Sequence, residues 1–231
     1  MTGALSADRG AAAVVISELP PLVSIETYLA VLDVSSVERE HYAAMLQPEE
    51  LARAAQFHFT KDTERYVVRR GKLRELLAAR LGCQPRDVPL NCNLFGKPSV
   101  KGTDLRFNLS HSGRIAFYVF ARDAEIGCDI EWRRPEFASE RVAERFFSAR
   151  ELEALRAMPR SRWVEAFFNC WTRKEAFVKA LGFGLSYPLK AFDVSLAPGE
   201  PAALLRGPLG WSLRSFEPLE GLQAAIALKQ L

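Results

Sequence analysis

The chain has 231 residues, 48% of them hydrophobic and 26% charged, with a formal net charge of +3. That length and balance allow a substantial core, as one large or two small domains, and exclude disordered and collagen-like classes. A nucleic-acid-binding domain shows a stronger basic excess and a recognisable motif, so nucleic acid is not an expected partner.

Residues 1–20 read as a mobile leader. The Ala11–Ile16 run is too short to span a bilayer, and Asp8 beside Arg9 makes a poor signal-peptide start, so no membrane association is expected. Helical patterns near 37–58 and 61–81 follow, then strands around 105–121. Along 61–80 the residues Arg65, Arg69 and Lys72 form one cationic row, opposite an apolar face of Tyr66, Leu73, Leu76 and Leu77. Such a row is usually a solvated face; its functional alternative is an electrostatic funnel for a polyanionic ligand. A strand at 125–131 opens a second series, with helices near 148–158 and 161–181 and strands near 190–197, 211–217 and 222–229. The first of these helices is signalled by the capping box from Ser148 to Glu151. Helical and strand patterns thus occur twice in a similar order, which reads as α+β, and Leu81-Gly82 and Leu181-Gly182, each closing a long helix, are a faint echo of that repetition. Cys83, Cys92, Cys128 and Cys170 lack C-x-x-C or zinc-like spacing, which predicts reduced thiols in a cytoplasm.

Chemistry concentrates in two segments. In Gly127-Cys128-Asp129-Ile130-Glu131 the alternation puts Ile126, Cys128 and Ile130 on one strand face and Asp129 with Glu131 on the other. Two carboxylates side by side make half of a hard-cation site, since magnesium takes a few carboxylates plus substrate phosphates. In Trp171-Thr172-Arg173-Lys174-Glu175-Ala176-Phe177-Val178-Lys179 the residues Glu175 and Lys179 share one helical side, at the edge of an apolar stripe. They could serve a metal and a phosphate, or form an ordinary surface pair. Lys174 falls in the middle of the stripe and must find a carboxylate, snorkel outward or enter a ligand cleft. Ser110-His111-Ser112-Gly113, between strand-like runs, reads first as a hairpin turn, and Gly96-Lys97-Pro98 as a loop.

The ordered set of motifs resembles the surfactin-type (Sfp-like) 4′-phosphopantetheinyl transferases. It comprises Phe95-Gly96-Lys97-Pro98, Phe107-Asn108-Leu109-Ser110-His111-Ser112-Gly113, Gly127 to Glu131, Arg145-Phe146-Phe147-Ser148, Trp171 to Lys179 and Gly182-Phe183-Gly184-Leu185. The resemblance runs from about Arg53 to about Val194. It implies a pseudo-twofold α+β architecture of two halves, 21–123 and 124–231, with the active-site cleft between them. It makes Asp129, Glu131 and Glu175 ligands of Mg2+, with Mn2+ as an alternative, and makes Glu175 and Lys179 the catalytic pair. It further implies that Arg53, Arg65, Lys97, Pro98, Ser110, His111, Lys174 and Lys179 bind coenzyme A as substrate. The implied partner is an acyl or peptidyl carrier protein whose serine receives the phosphopantetheine arm, and the working form is expected to be a monomer. Arg133, Arg134, Phe146 and Phe147 are candidate carrier contacts. The alternatives are a magnesium-dependent phosphodiesterase and a non-catalytic coenzyme-A-binding or carrier-binding module.

Overall fold

In chain order the elements are β1 (Ala11–Ala13), β2 (Glu26–Val31), α1 (Ser36–Ala43), α2 (Pro48–Ala54), α3 (Thr60–Leu81), β3 (Leu90–Cys92), β4 (Pro98–Val100), β5 (Leu105–Ser112) and β6 (Ile115–Arg122). They continue with β7 (Ala124–Trp132), α4 (Glu140–Phe146), α5 (Ala149–Arg156), α6 (Arg160–Leu181), β8 (Asp193–Val194), β9 (Leu204–Arg206), β10 (Ser212–Leu219) and β11 (Leu222–Gln230). This computed structural model describes residues 11–13 and 24–231. The expected leader therefore lies outside the described residues except for β1, which pairs antiparallel with β2.

The helix expected near 37–58 is two helices. Pro48 opens α2 at its first turn, where its missing N–H costs nothing, and it forces Gln47 into an extended conformation that ends the preceding run. Ser35 and Glu38 cap α1 reciprocally, as Ser148 and Glu151 cap α5. The short α4, capped by the Ser139 side chain on Val142 N, is too brief to show a helical period in the sequence. The two long helices, α3 and α6, each run 22 residues and stop at a left-handed glycine, Gly82 and Gly182.

Each long helix covers one sheet. The four-stranded sheet has the order β1-β2-β6-β5, and the three-stranded sheet has the order β10-β11-β7, all antiparallel. Alternation along β6 sorts the core: Ala116, Tyr118 and Phe120 pack with Leu73 and Leu77 of α3, while Ile115, Phe117 and Val119 face the other way. Those last three meet Ile126, Cys128 and Ile130 of β7 and Ile226 of β11. The outer face of the second sheet, with Ala225 and Ala227, packs on Phe167, Phe168 and Phe177 of α6. The result is a helix, two sheets and a second helix, with β5 running beside β7 where the sheets meet.

Candidate active site

The site is built where α6 crosses β7. Gly127 is required there, because a Cβ at that position would overlap Ala176 O and Ala180 N of the helix backbone. The strand and helix thus touch backbone to backbone, and the next residues on the same strand face, Asp129 and Glu131, emerge beside the helix edge that carries Glu175 and Lys179. Lys179 Nζ lies 2.6 Å from Asp129 Oδ1 and 2.9 Å from Ser110 Oγ. The sequence-level acidic pair and the helical Glu-Lys pair, together with Ser110, are brought to one place.

From the other half β5 contributes a row of polar side chains. The strands of the hairpin extend to Ser112 and leave only Gly113 and Arg114 as the turn, so the expected turn residues Ser110 and Ser112 are strand residues. Ser110 Oγ donates to Asp129 Oδ1 at 2.8 Å, and Ser112 Oγ donates to Glu131 Oε2 at 2.6 Å. Sequence reasoning missed Ser112, whose partner lies 19 residues away and depends on β5 and β7 running side by side.

The charges interact strongly. Burial, then the neighbouring Asp129 carboxylate, pushes Glu175 up to about 6 against the opposing pull of Lys179. Burial and Asp129 also raise Glu131, with the Ser112 hydrogen bond working the other way. Lys179 is held above the ordinary lysine range: its burial disfavours the charge, and Asp129 more than compensates. His111, on the β5 edge, is pulled down to about 4 by the protein around it and then by Arg69, Lys179 and Arg65. Its imidazole is therefore neutral near physiological pH, within a cationic surround.

Other expected residues go elsewhere. Lys174 is corrected: its ammonium is 1% exposed, bonds both Glu151 oxygens at 2.7 Å and Phe192 O at 2.8 Å, and so cannot meet a ligand phosphate. Of the three fates open to a lysine in the apolar stripe, the buried carboxylate is the one realised. Lys97 Nζ bonds Ala180 O at 2.7 Å and Glu125 at 3.2 Å, near the C-terminus of α6, which leaves its stem and Pro98 in the wall of a hollow of about 180 Å³ with Phe107. Arg65 makes a two-point pair with Asp33, at 2.6 and 2.9 Å, and Arg53 is exposed on α2. The Arg133 guanidinium bonds Glu217 and Gln223, and Arg134 is exposed. Arg69, absent from the expected set, is half-buried, lies over the Tyr66 ring and is paired with no carboxylate among the described residues.

A cleft of about 500 Å³ opens beside the carboxylates, with Glu175 and Lys179 in its wall and Phe146, Val178, Tyr187 and Leu189 supplying apolar surface. Among the described residues, no three His, Cys, Asp or Glu side chains stand ready to enclose a metal ion. The chemistry of the donors nevertheless fits a hard cation. Among the described residues Asp129 Oδ2 is buried without any hydrogen-bond partner, and the Asp129 carboxylate raises the proton affinity of both Glu131 and Glu175.

The chain is similar to known proteins along most of its length. The family described as "4′-phosphopantetheinyl transferase superfamily" matches residues 125–227, and "4′-phosphopantetheinyl transferase, N-terminal" matches residues 34–123. The 4′-phosphopantetheinyl transferase HetI of a Nostoc species is 38% identical over 201 residues, covering 85% of this chain and 84% of that protein. The 4′-phosphopantetheinyl transferase Sfp of Bacillus subtilis is 32% identical over 163 residues, covering 70% and 71%. The human L-aminoadipate-semialdehyde dehydrogenase-phosphopantetheinyl transferase is 30% identical over 168 residues, covering 66% of this chain and 53% of that protein. With family matches over residues 34–123 and 125–227 and a relative 38% identical over most of both chains, the chain belongs to the 4′-phosphopantetheinyl transferase superfamily and is an enzyme of that class.

Proposed function

We propose that this chain transfers the 4′-phosphopantetheine arm of coenzyme A to a serine hydroxyl of an acyl or peptidyl carrier protein and releases 3′,5′-ADP. The observation that carries the reading is the convergence of Asp129, Glu131, Glu175 and Lys179 at the β7–α6 crossing, with Asp129 Oδ2 buried and unpartnered. Asp129, Glu131 and Glu175 would hold Mg2+, or Mn2+ in its place. Such an ion, when bound, neutralises diphosphate charge as it moves toward the leaving group.

The chain's own groups perform the remaining work. Glu175, poised near 6, accepts the serine proton as the serine oxygen forms its bond to the β-phosphorus of coenzyme A. The bond from that phosphorus to the bridging oxygen breaks, and 3′,5′-ADP departs with the electron pair. Lys179 stabilises the diphosphate through this charge shift. His111, with Ser110 beside it, meets the nucleotide end of the cofactor and its 3′-phosphate in the cationic surround of Arg65 and Arg69. Arg53 supplies outer positive charge, and Pro98 with the stem of Lys97 flanks the nucleotide. The active cleft lies between the halves 21–123 and 124–231, so one chain supplies every group and the working form is a monomer.

The test mixes the protein with coenzyme A, Mg2+ and an apo carrier and weighs the carrier. The expected result is one phosphopantetheine mass on its serine, with Glu175→Gln lowering kcat by about 10²- to 10⁴-fold and Asp129→Ala abolishing transfer. Release of 3′,5′-ADP with no gain in carrier mass would make the protein a phosphodiesterase instead. Binding without turnover would make it a module.

A further inference from the structure

The two sheets meet without a shared backbone ladder: β5 belongs to one sheet and β7 to the other. Beside their shared apolar core, the edges of β5 and β7 are linked by a row of three side chains from alternate positions of β5. Asn108 Oδ1 accepts from Cys128 N at 2.9 Å, Ser110 Oγ donates to Asp129 Oδ1 at 2.8 Å, and Ser112 Oγ donates to Glu131 Oε2 at 2.6 Å. The period of two along both strands keeps the rows in step. The last rung has a further bond, because Ser112 Oγ also accepts from Trp132 N at 3.1 Å. Its position is fixed from the other side as well. Gly113 turns with a φ of +55°, and a Cβ placed there would touch the Trp132 ring at 3.5 Å, so the hairpin turn rests on the residue after Glu131.

From this geometry we propose that Ser112 is a positioning residue, whose hydroxyl, fixed by Trp132 N, orients the Glu131 carboxylate of the opposite half toward the bound cation. The inference rests on the cation reading of the cleft given above. Ser112 is 6% exposed, so its hydroxyl has no competing solvent role and its two bonds account for it. A hydroxyl that donates to one oxygen of a ligating carboxylate leaves the other oxygen free and restricts its rotation. Partners of this kind govern metal affinity even though they never touch the ion. The joint between the halves therefore also sets the geometry of the charged cleft.

The experiment titrates Mn2+ into the full-length protein in the presence of coenzyme A, without carrier, and follows bound metal by EPR while melting temperature is recorded for each variant. Ser112→Ala is expected to weaken Mn2+ binding by about 10- to 100-fold, and Ser112→Thr, which keeps the hydroxyl, to recover most of it. Asn108→Ala breaks a comparable bond between the same strands without touching a carboxylate. It should lower the melting temperature and leave Mn2+ affinity in place. If Ser112→Ala does not fold, Ser112→Cys, close in volume and a weak donor, takes its place with the same expected loss. Glu131→Gln separates the two ideas. If it weakens Mn2+ binding while the Ser112 variants bind like the parent, Ser112 has no positioning role and the cation reading stands. Equal metal loss in Asn108→Ala and Ser112→Ala also overturns the proposal, by making the effect structural. If Glu131→Gln or the parent shows no dependence of Mn2+ uptake on this carboxylate, both ideas fall together.

Discussion

Lys174 and Lys179 lie on the same helix, five residues apart in a single motif, and the fold gives them opposite fates. Lys179 reaches the cleft and Asp129. Lys174 points into the core, where Glu151 also accepts from Val194 N and caps α5 through Ser148 N. One carboxylate thereby ties α5, α6 and β8 together. Removing one partner of such a pair strands the other charge in the interior, so Lys174→Met is expected to lower unfolding free energy by about 3–5 kcal/mol, read by urea denaturation. Its folded fraction should still bind coenzyme A normally, as measured by calorimetry. Reduced coenzyme A affinity in a stable Lys174 variant would return that residue to the site. The sequence narrowed Lys174 to three options but could not choose, because Glu151 lies 23 residues away and becomes its neighbour only when α5 packs against α6.

At the scale of elements, the α6–β7 crossing and the α2–α3 clamp show two ways of fixing a helix. The first is steric. Gly127→Ala adds a methyl group where the α6 backbone already sits, which is expected to cost about 1–3 kcal/mol by overpacking and to suppress transfer by displacing Glu175 and Lys179 from β7. Denaturant unfolding and the carrier mass assay read the two effects. The second is electrostatic: Glu50 of α2 receives Arg70 and Arg74 from α3 and the Gln47 backbone N–H. Burial opposes its charge, but Arg74, Gln47 N–H and Arg70 prevail and hold its carboxyl below the usual glutamate range. A lowered folded-state value means that the stabilisation is fully present above the ordinary glutamate pKa. It is lost as pH falls through the folded value. Glu50→Gln should therefore be less stable than the parent near neutral pH, with the difference closing in acid, as thermal melts across a pH series would show. Equal pH dependence in both proteins would remove Glu50 from the account.

For the whole molecule, the residues proposed for the site are divided between the two proposed halves. Ser110, His111, Arg65 and Arg69 come from the first α+β half, and Asp129, Glu131, Glu175 and Lys179 from the second. The loop before β4 also crosses over: Asn93 Nδ2 donates to Gly182 O at 2.9 Å and Lys97 Nζ to Ala180 O at 2.7 Å, satisfying carbonyls at the α6 C-terminus. A ligand held by both halves stabilises their association, so coenzyme A with Mg2+ should raise the melting temperature. At about 100 times its dissociation constant the gain is about 2.7 kcal/mol. Differential scanning calorimetry checks this, and an unchanged midpoint at saturating ligand would speak against the cleft.

The sequence by itself determined the α+β class, the two long helices with their glycine stops, and the acidic strand with its Glu-Lys helix. These follow from periods and caps that act within a few residues. Only the tertiary structure decided which groups meet. The pairing of Ser112 with Glu131, the burial of Lys174 on Glu151 and the tie of Lys97 to α6 all depend on which strand edges and helix faces pack together. Strand alternation and helical spacing state where a side chain points, and packing across the chain determines what it finds there.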